Sequence, residues 1–237
     1  KVANNKVPSS GAVYYYSATM NNKAMKFEDC VFAKNVGAGL CGVLEGNSRG
    51  CFTCVRCRFT DNVGNSHGVI NPVSSVVQTF RNCLMCGNTG KTVAGVANEN
   101  QGSFVLESCT VTGNRTETGS IAGIRIVDTA GQAGVKNSIV WGNSFRTDTA
   151  VTTTATGANN CSDFAFIKSI TTPGTIFTEN PRVSNAASSL GRIKEDSPYL
   201  TSGLLLDWMT EGATDLAGVS RLREVGGGGG VDVGCYS

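Results

Sequence analysis

The chain is poor in charge, proline and histidine and has no long apolar run, and each shortage argues against a class of protein. Charged residues make up 16% of the 237 residues, the net charge is +2, and no basic patch stands out, which argues against a nucleic-acid-binding protein. No apolar run reaches the roughly 18 residues expected of a membrane-spanning helix. His67 is the only histidine, which excludes a two-histidine metal site, and its Gly-Asn-Ser-His-Gly setting predicts a solvated loop residue.

Glycine is abundant, with 30 residues against 5 prolines, and Thr, Ser, Asn and Val are frequent. This mixture favours a turn-rich β protein, and no helical 3.6-residue periodicity opposes it. A rung-like sequence already begins at Gly11-Ala12-Val13-Tyr14, and the chain opens without a secretory signal. We therefore expect a fragment or a processed product of a longer solenoid.

A nine-residue pattern occurs five times, and every copy ends in asparagine. The copies are Phe27–Asn35, Cys54–Asn62, Phe80–Asn88, Leu106–Asn114 and Val135–Asn143. Successive final asparagines are separated by 27, 26, 26 and 29 residues. A nearly fixed period in this range predicts stacked structural repeats that bury a continuous core.

The fourth and sixth positions of the pattern predict an inward face, because residues two apart on a strand point to the same side. The fourth position, which we name the cysteine column, holds Cys30, Cys57, Cys83 and Cys109, with Ser138 in the last copy. The sixth position holds Phe32, Phe59, Met85, Val111 and Val140. Parallel side chains stacked in one column have poor disulfide geometry, so we predict buried free thiols there.

The third and ninth positions predict the corners of each repeat. The third position holds Asp29, Arg56, Asn82, Ser108 and Asn137, which are mostly turn-forming types. The ninth position, which we name the asparagine ladder, holds Asn35, Asn62, Asn88, Asn114 and Asn143. Asparagine tolerates the left-handed conformation of a sharp corner, and stacked side-chain amides hydrogen-bond to one another.

These features predict an all-β fold, a single right-handed parallel β-helix with about 26–29 residues per rung. We expect about three short strands per rung, the last of them led by glycine after a variable loop, as in Gly42-Val43-Leu44. Residues 1–200 are assigned to the solenoid and residues 201–237 to an irregular C-terminal cap. Within the cap, Leu200–Met209 is predicted to cover the open end of the solenoid.

Six further cysteines lie outside the column: Cys41, Cys51, Cys54, Cys86, Cys161 and Cys235. The spacing of Cys51, Cys54, Cys83 and Cys86 resembles that of zinc ligands, but Cys83 and Cys86 should face opposite sides of one strand. We therefore predict no metal site and one or two disulfides among the six, with the pairing open. A total of ten cysteines favours an oxidising, extracellular setting.

Candidate binding residues lie in the outward columns. Arg81, Glu107 and Lys136 alternate in charge along one column and are predicted to line a saccharide groove. The alternative is that opposite charges one rung apart merely solvate the sheet face. Arg125 is another outward candidate, and Trp141 either stacks on a sugar or is covered by the chain that follows it.

Two sets of motifs carry a family resemblance. Phe32-Ala33-Lys34-Asn35 and Phe59-Thr60-Asp61-Asn62 resemble the repeats of polymorphic outer-membrane proteins, and the chain is similar to right-handed β-helices of the pectin-lyase-like superfamily. The tail is similar to the ending of many secreted bacterial β-helix proteins; its motifs are Ser197-Pro198, Asp215-Leu216-Ala217-Gly218, Arg221 and Val231–Tyr236. The resemblance implies a secreted or cell-surface location but no single activity.

The function predicted from these patterns is that of a non-catalytic extracellular or cell-surface module, adhesin-like or structural, which binds a polysaccharide or a host glycan. No cofactor and no nucleic-acid partner are expected. The alternative is a carbohydrate-active enzyme, a lyase acting on acidic polysaccharides, in which a basic residue abstracts a proton. No cluster of catalytic side chains is visible in the repeats, which favours the first hypothesis.

Overall fold

A computed structural model describes residues 1–9, 11–17, 24–48, 50–72, 77–92, 103–118, 134–143, 156–158, 160–162, 175–209, 212–225 and 228–236. Within these ranges the chain forms only β-strands, as predicted, and none of their residues forms a helix able to cross a membrane. The strands are β1 (Val2–Ala3), β2 (Lys6–Val7), β3 (Val13–Ser17), β4 (Met25–Glu28), β5 (Val31–Ala33), β6 (Val36–Gly37), β7 (Leu44–Ser48), β8 (Phe52–Val55), β9 (Arg58–Thr60), β10 (Val63–Gly64), β11 (Ile70–Pro72), β12 (Val77–Arg81), β13 (Leu84–Cys86), β14 (Thr89–Gly90), β15 (Ser103–Glu107), β16 (Thr110–Thr112), β17 (Arg115–Thr116), β18 (Gly134–Lys136), β19 (Ile139–Trp141), β20 (Thr156–Ala158), β21 (Asn160–Ser162), β22 (Ile176–Phe177), β23 (Arg223–Val225) and β24 (Gly228–Gly230).

The strands stack into a parallel β-solenoid. One face is an eight-stranded sheet in the order β1-β5-β9-β13-β16-β19-β21-β22, which we name the broad sheet. A six-stranded sheet, β20-β18-β15-β12-β8-β4, and sheets of five and three strands form the other faces. All pairings within these four sheets are parallel and in register from one rung to the next, whereas β23 and β24 pair antiparallel.

The expectation of three strands per rung is wrong, because a complete rung has four. In the rung that contains Cys57, the strands are β8, β9, β10 and β11. The missed strand, β10, begins directly after the ladder asparagine, where a variable loop was expected. Two-residue strands show no alternation of polar and apolar residues, so the sequence gives no periodic signal for them.

The third position of the pattern forms a left-handed corner, as predicted. Its φ angles are positive in all five copies: Asp29 53°, Arg56 50°, Asn82 51°, Ser108 53° and Asn137 50°. At the second corner the left-handed residue stands one place before the ladder asparagine, which corrects the expectation that the asparagine itself adopts it. Those residues are Lys34, Asp61, Gly87, Gly113 and Gly142.

The asparagine ladder is confirmed, and its side chains hydrogen-bond along the solenoid axis. Each Nδ2 donates to Oδ1 of the next asparagine at 2.8–2.9 Å, from Asn35 through to Asn143. The ladder begins one rung earlier than predicted, because Asn5 donates to Asn35 at 2.8 Å. Each amide also donates to a backbone carbonyl of the preceding rung, so the ladder joins three rungs at every position.

The core is a stack of inward columns. The sixth-position side chains, from Phe32 to Val140, are fully buried, and Phe32 lies flat on Phe59 with ring centroids 4.9 Å apart. Cys57, Cys83 and Cys109 are fully buried, and Cys30 is half-buried where the cysteine column ends. Each buried thiol of this column donates to a backbone carbonyl of the preceding rung.

None of the ten cysteines forms a disulfide, so the expectation of one or two disulfides is wrong. The six cysteines outside the column lie in separate environments. Cys54 belongs to the inner core, whereas Cys86 and Cys161 pack in two different clusters on the outside of the broad sheet. As predicted, Cys83 and Cys86 therefore face opposite sides of one strand.

The C-terminal segment, residues 178–236, packs against the side of the solenoid. Asn82 Nδ2 donates to the Thr214 carbonyl at 2.8 Å, and the Cys235 amide donates to Thr110 Oγ1 at 3.1 Å. Asn137 exchanges two hydrogen bonds with the backbone of Leu204, at 2.6 and 2.7 Å. We expected residues 200–209 to cover an open end of the solenoid. Instead, these contacts run along its side, where Asn82 and Asn137 form the corners of two rungs.

The motifs of the tail hold this segment together. The Arg221 side chain is fully buried and donates to the Asp232 and Gly234 carbonyls at 2.9 and 3.1 Å. Asp215 Oδ1 accepts from two amides of its own turn, at 2.7 and 2.8 Å. A buried guanidinium with these partners fixes the last residues of the chain against the broad sheet.

Candidate functional site

The outward column of the six-stranded sheet forms the base of a groove. Parallel pairing in register places Arg81 between Val55 and Glu107, and Glu107 beside Lys136. Strands β12, β15 and β18 therefore bring the three predicted binding residues Arg81, Glu107 and Lys136 together. All three come last in their strands, immediately before a left-handed corner, so their side chains lie at the edge of the sheet face.

Two of these side chains form an ion pair. Arg81 Nε lies 2.7 Å from Glu107 Oε2, and the two side chains are 37% and 12% exposed. Lys136 forms no ion pair with the part of the chain that the structure describes. The column thus combines one neutralised pair with one cation that is available to a ligand.

The C-terminal segment supplies the other wall. Leu204, Leu205, Leu206, Asp207 and Trp208 face the three column residues across a cavity of about 260 Å³. The hydrogen bonds between Asn137 and Leu204 fix this wall, and the Arg81 guanidinium lies 5.8 Å from the centroid of the Trp208 ring. We name this cavity the lateral groove. It extends along Trp208 into a second depression lined by Val55, Arg56 and residues 212–214.

The other predicted candidates lie elsewhere. Arg125 falls outside the described residues. Trp141 is half-buried and packs against a cluster that contains Cys161, Phe177, Tyr199 and Val233, so it is covered by chain that follows it. Trp208 was not predicted as a binding residue, because the sequence Leu-Leu-Leu-Asp-Trp-Met was assigned to a cap. The sequence feature that could have indicated Trp208 as a binding residue is an aromatic side chain next to Asp207 in a segment without periodicity.

His67 and two other ionisable residues lie buried on a different side of the solenoid. His67 is fully buried, which corrects the expectation of a solvated loop, and it pairs in register with Cys41 on the preceding rung. Burial raises the pKa of Glu45, and a hydrogen bond from the Gly11 amide partly opposes that shift. Among the described residues, no three His, Cys, Asp or Glu side chains are grouped so as to hold a metal ion.

The lateral groove has side chains that can bind hydroxyl and carboxylate groups. Lys136 and Arg81 donate hydrogen bonds, Glu107 accepts them, and the Trp208 ring provides an apolar surface for the C–H face of a sugar. The Glu107 carboxylate is engaged by Arg81 and is therefore not free to take up a proton.

The comparisons with known proteins found no match: no family model, no curated protein and no solved structure is significantly similar to this chain.

Proposed function

We propose that the chain is a non-catalytic β-solenoid module of a cell surface or secreted protein, and that it binds a polysaccharide in the lateral groove. The observation that carries this proposal is the meeting of Arg81, Glu107 and Lys136 with Trp208 in one cavity. Charged side chains beside a half-buried aromatic ring form a combination that suits sugar recognition. The Lys136 cation favours a glycan with carboxylate or sulfate groups.

The proposed location and family depend on the tail and the repeats. We propose a relation to the pectin-lyase-like superfamily because the parallel solenoid and the asparagine ladder accompany the motifs that resemble it. Because the ten cysteines form no disulfide, they do not support an oxidising compartment. The proposed surface location depends on the resemblance of the repeats and the tail.

A panel of immobilised acidic and neutral polysaccharides tests the proposal. We expect the protein to be retained by at least one acidic member, with retention that falls as salt is raised. Lys136→Gln should weaken that binding about 3-fold, as expected for loss of a partly exposed charge contact. Lys91→Gln is the matched control, because Lys91 is exposed and lies after β14, on another face.

The rival hypothesis, a lyase, has its own readout on the same panel. A lyase would release unsaturated uronates that absorb in the ultraviolet, with or without added calcium. We expect binding without any increase in absorbance. A reproducible increase that Arg81→Gln or Lys136→Gln abolishes would overturn the non-catalytic proposal and place an active site in the lateral groove.

A further inference from the structure

A second cavity, separate from the lateral groove, lies where the C-terminal segment stops covering the broad sheet. In the outward column of that sheet, Leu84, Thr110 and Ile139 are at most 1% exposed because the segment packs over them. Arg58 and Val31, one and two rungs before Leu84, lie beyond its edge. The cavity of about 250 Å³ at this edge is lined by Val31, Arg58, Thr60, Leu84, Ala187, Ser188, Leu190, Arg192 and Tyr236, and we name it the edge pocket.

Two arginines converge on the edge pocket. Arg58 projects from β9, and Arg192 comes from the opposite wall, where its guanidinium lies 4.7 Å from the centroid of the Tyr236 ring. Neither guanidinium forms an ion pair with the residues that the structure describes. None of the residues lining the pocket is acidic. Two unpaired guanidinium groups across a small cavity form a site for an anion, and their planar donors match a carboxylate.

The wall that carries Arg192 is a closed turn. The Ser184 amide donates to the Arg192 carbonyl at 2.7 Å, the Gly191 amide donates to the Ser184 carbonyl at 3.0 Å, and the Ser184 and Ser189 hydroxyls are 2.7 Å apart. These bonds close the turn, and Leu190 packs it against Leu84 and Tyr236. The guanidinium is thus positioned before any ligand binds, which lowers the entropic cost of binding.

Tyr236 adds a donor and an apolar surface. Burial raises the pKa of Tyr236 to about 12, while the positive charges of Arg58 and Arg192 oppose that shift, so the phenol is protonated at neutral pH. Val31, Leu84 and Leu190 complete an apolar lining beside the ring. The pocket therefore combines an anion site with a surface for a carbon skeleton.

The neighbouring cavity limits where the anion lies. It holds about 670 Å³, shares Arg192 and Tyr236 with the edge pocket, and is also lined by Lys194, Glu195, Asp196 and Asp232. Asp196 is paired with Arg182 at 2.8 Å, but the acidic side chains still make this cavity unfavourable for a second negative charge. The Arg58 side is the electropositive end.

We propose that the edge pocket binds the carboxylate of a small organic acid, held between Arg58 and Arg192 with its carbon skeleton against Tyr236. The volume of the edge pocket, about 250 Å³, suits a compact ligand of one ring. This proposal does not depend on polysaccharide binding in the lateral groove. Benzoate is the probe, and benzyl alcohol is its neutral match.

Calorimetric titration of the full chain with both probes tests the proposal. We expect benzoate to bind at least 10-fold more tightly than benzyl alcohol, and Arg58→Gln to weaken benzoate about 10-fold, as for loss of one charge-assisted hydrogen bond. Arg192→Gln should act alike; Arg192→Lys, which keeps the charge over the ring, should lose less. Arg115→Gln is the control, since Arg115 is exposed on another sheet, where its side chain donates to Thr89 Oγ1.

Four results would overturn the assignment: no measurable benzoate binding, equal binding of benzyl alcohol, unchanged binding in both Arg58→Gln and Arg192→Gln, or sulfate binding as tight as benzoate. The last result would exclude a role for the apolar lining. Lys136→Gln and Trp208→Ala lie in the lateral groove and should leave benzoate binding unchanged. Failure of this proposal is thereby distinguishable from failure of the proposed polysaccharide binding.

Discussion

At the scale of single residues, the ladder asparagines carry more of the structure than the cysteines beside them. The fourth position of the pattern holds a cysteine thiol in four copies and the Ser138 hydroxyl in the fifth. Both kinds of group donate a hydrogen bond to a backbone carbonyl. The side-chain oxygen of Asn88 accepts hydrogen bonds from the backbone amide and the side chain of Asn62. Its side-chain nitrogen donates to Asn114 and to the Phe59 carbonyl. No other neutral side chain of that length supplies both functions.

Asn88→Ala tests the weight of the ladder. The substitution removes the partner of the Asn62 amide, the Asn62 side chain and the Phe59 carbonyl, all buried. We expect the free energy of unfolding, measured by urea titration with circular dichroism, to fall by about 3 kcal/mol. Asn143→Ala should cost less, because Asn143 is half-buried at the end of the ladder.

Asn65→Ala is the control for that measurement. Asn65 is exposed in a loop, and its side chain makes no hydrogen bond with the described residues. The free energy of unfolding should change by less than about 0.5 kcal/mol. An equal loss of stability in Asn65→Ala and Asn88→Ala would show that the ladder has no special role.

The sequence predicted the inner residues well, because each inward column repeats five times and repetition averages out local ambiguity. It placed the left-handed residue at the asparagine rather than before it. In the first two copies the position before the asparagine holds Lys34 and Asp61, which do not indicate a left-handed conformation. In the last three copies it holds glycine, which does; these are Gly87, Gly113 and Gly142. Glycine in three copies out of five was the available signal.

At the scale of elements, the main difference between prediction and structure is the C-terminal segment. Periodicity describes contacts between neighbouring rungs, but the contacts of this segment join residues that are 67 positions apart for Asn137 and Leu204 and 125 apart for Cys235 and Thr110. The sequence did contain one indication of this segment's position: in the outward column of the broad sheet, Leu84 and Ile139 are apolar. An outward column that is apolar at some rungs needs a cover.

Gly234→Ala tests the packing of that segment. Gly234 has φ +98°, and an added Cβ would lie 2.8 Å from both Ile139 Cδ1 and Thr110 Oγ1. Gly212 has a similar φ, +89°, but no atom within 4 Å of the corresponding position. Gly212→Ala should therefore show only the left-handed strain, about 1 kcal/mol, and Gly234→Ala about 2 kcal/mol more from overpacking. Equal losses in urea titrations would mean that the segment is not seated on Ile139 and Thr110.

At the scale of the whole molecule, the buried thiols whose pKa is raised make stability depend on alkaline pH. Burial raises the pKa of Cys235 to about 12, whereas a thiol in the unfolded chain ionises near 8.5. The folded state then holds protons that the unfolded state loses, so stability is fully present below about pH 8.5 and decreases as pH rises towards 12.

Urea titrations with reductant at several pH values between 8 and 11 test this dependence. Each thiol that ionises only in the unfolded chain should contribute a slope of about 1.4 kcal/mol per pH unit. Cys235→Ala should have a shallower slope than the native chain, whatever its absolute stability. A stability that stays constant over this range would contradict the burial of the thiols.

The central claim is that the lateral groove binds a polysaccharide, and Trp208→Ala tests it most directly. The measurement is the dissociation constant, by calorimetry, for the polysaccharide that the native chain retains best. The indole lines both parts of the groove, so we predict a loss of about 30-fold or more, with Trp208→Phe retaining part of the affinity. An unchanged dissociation constant in a folded Trp208→Ala protein would contradict the account.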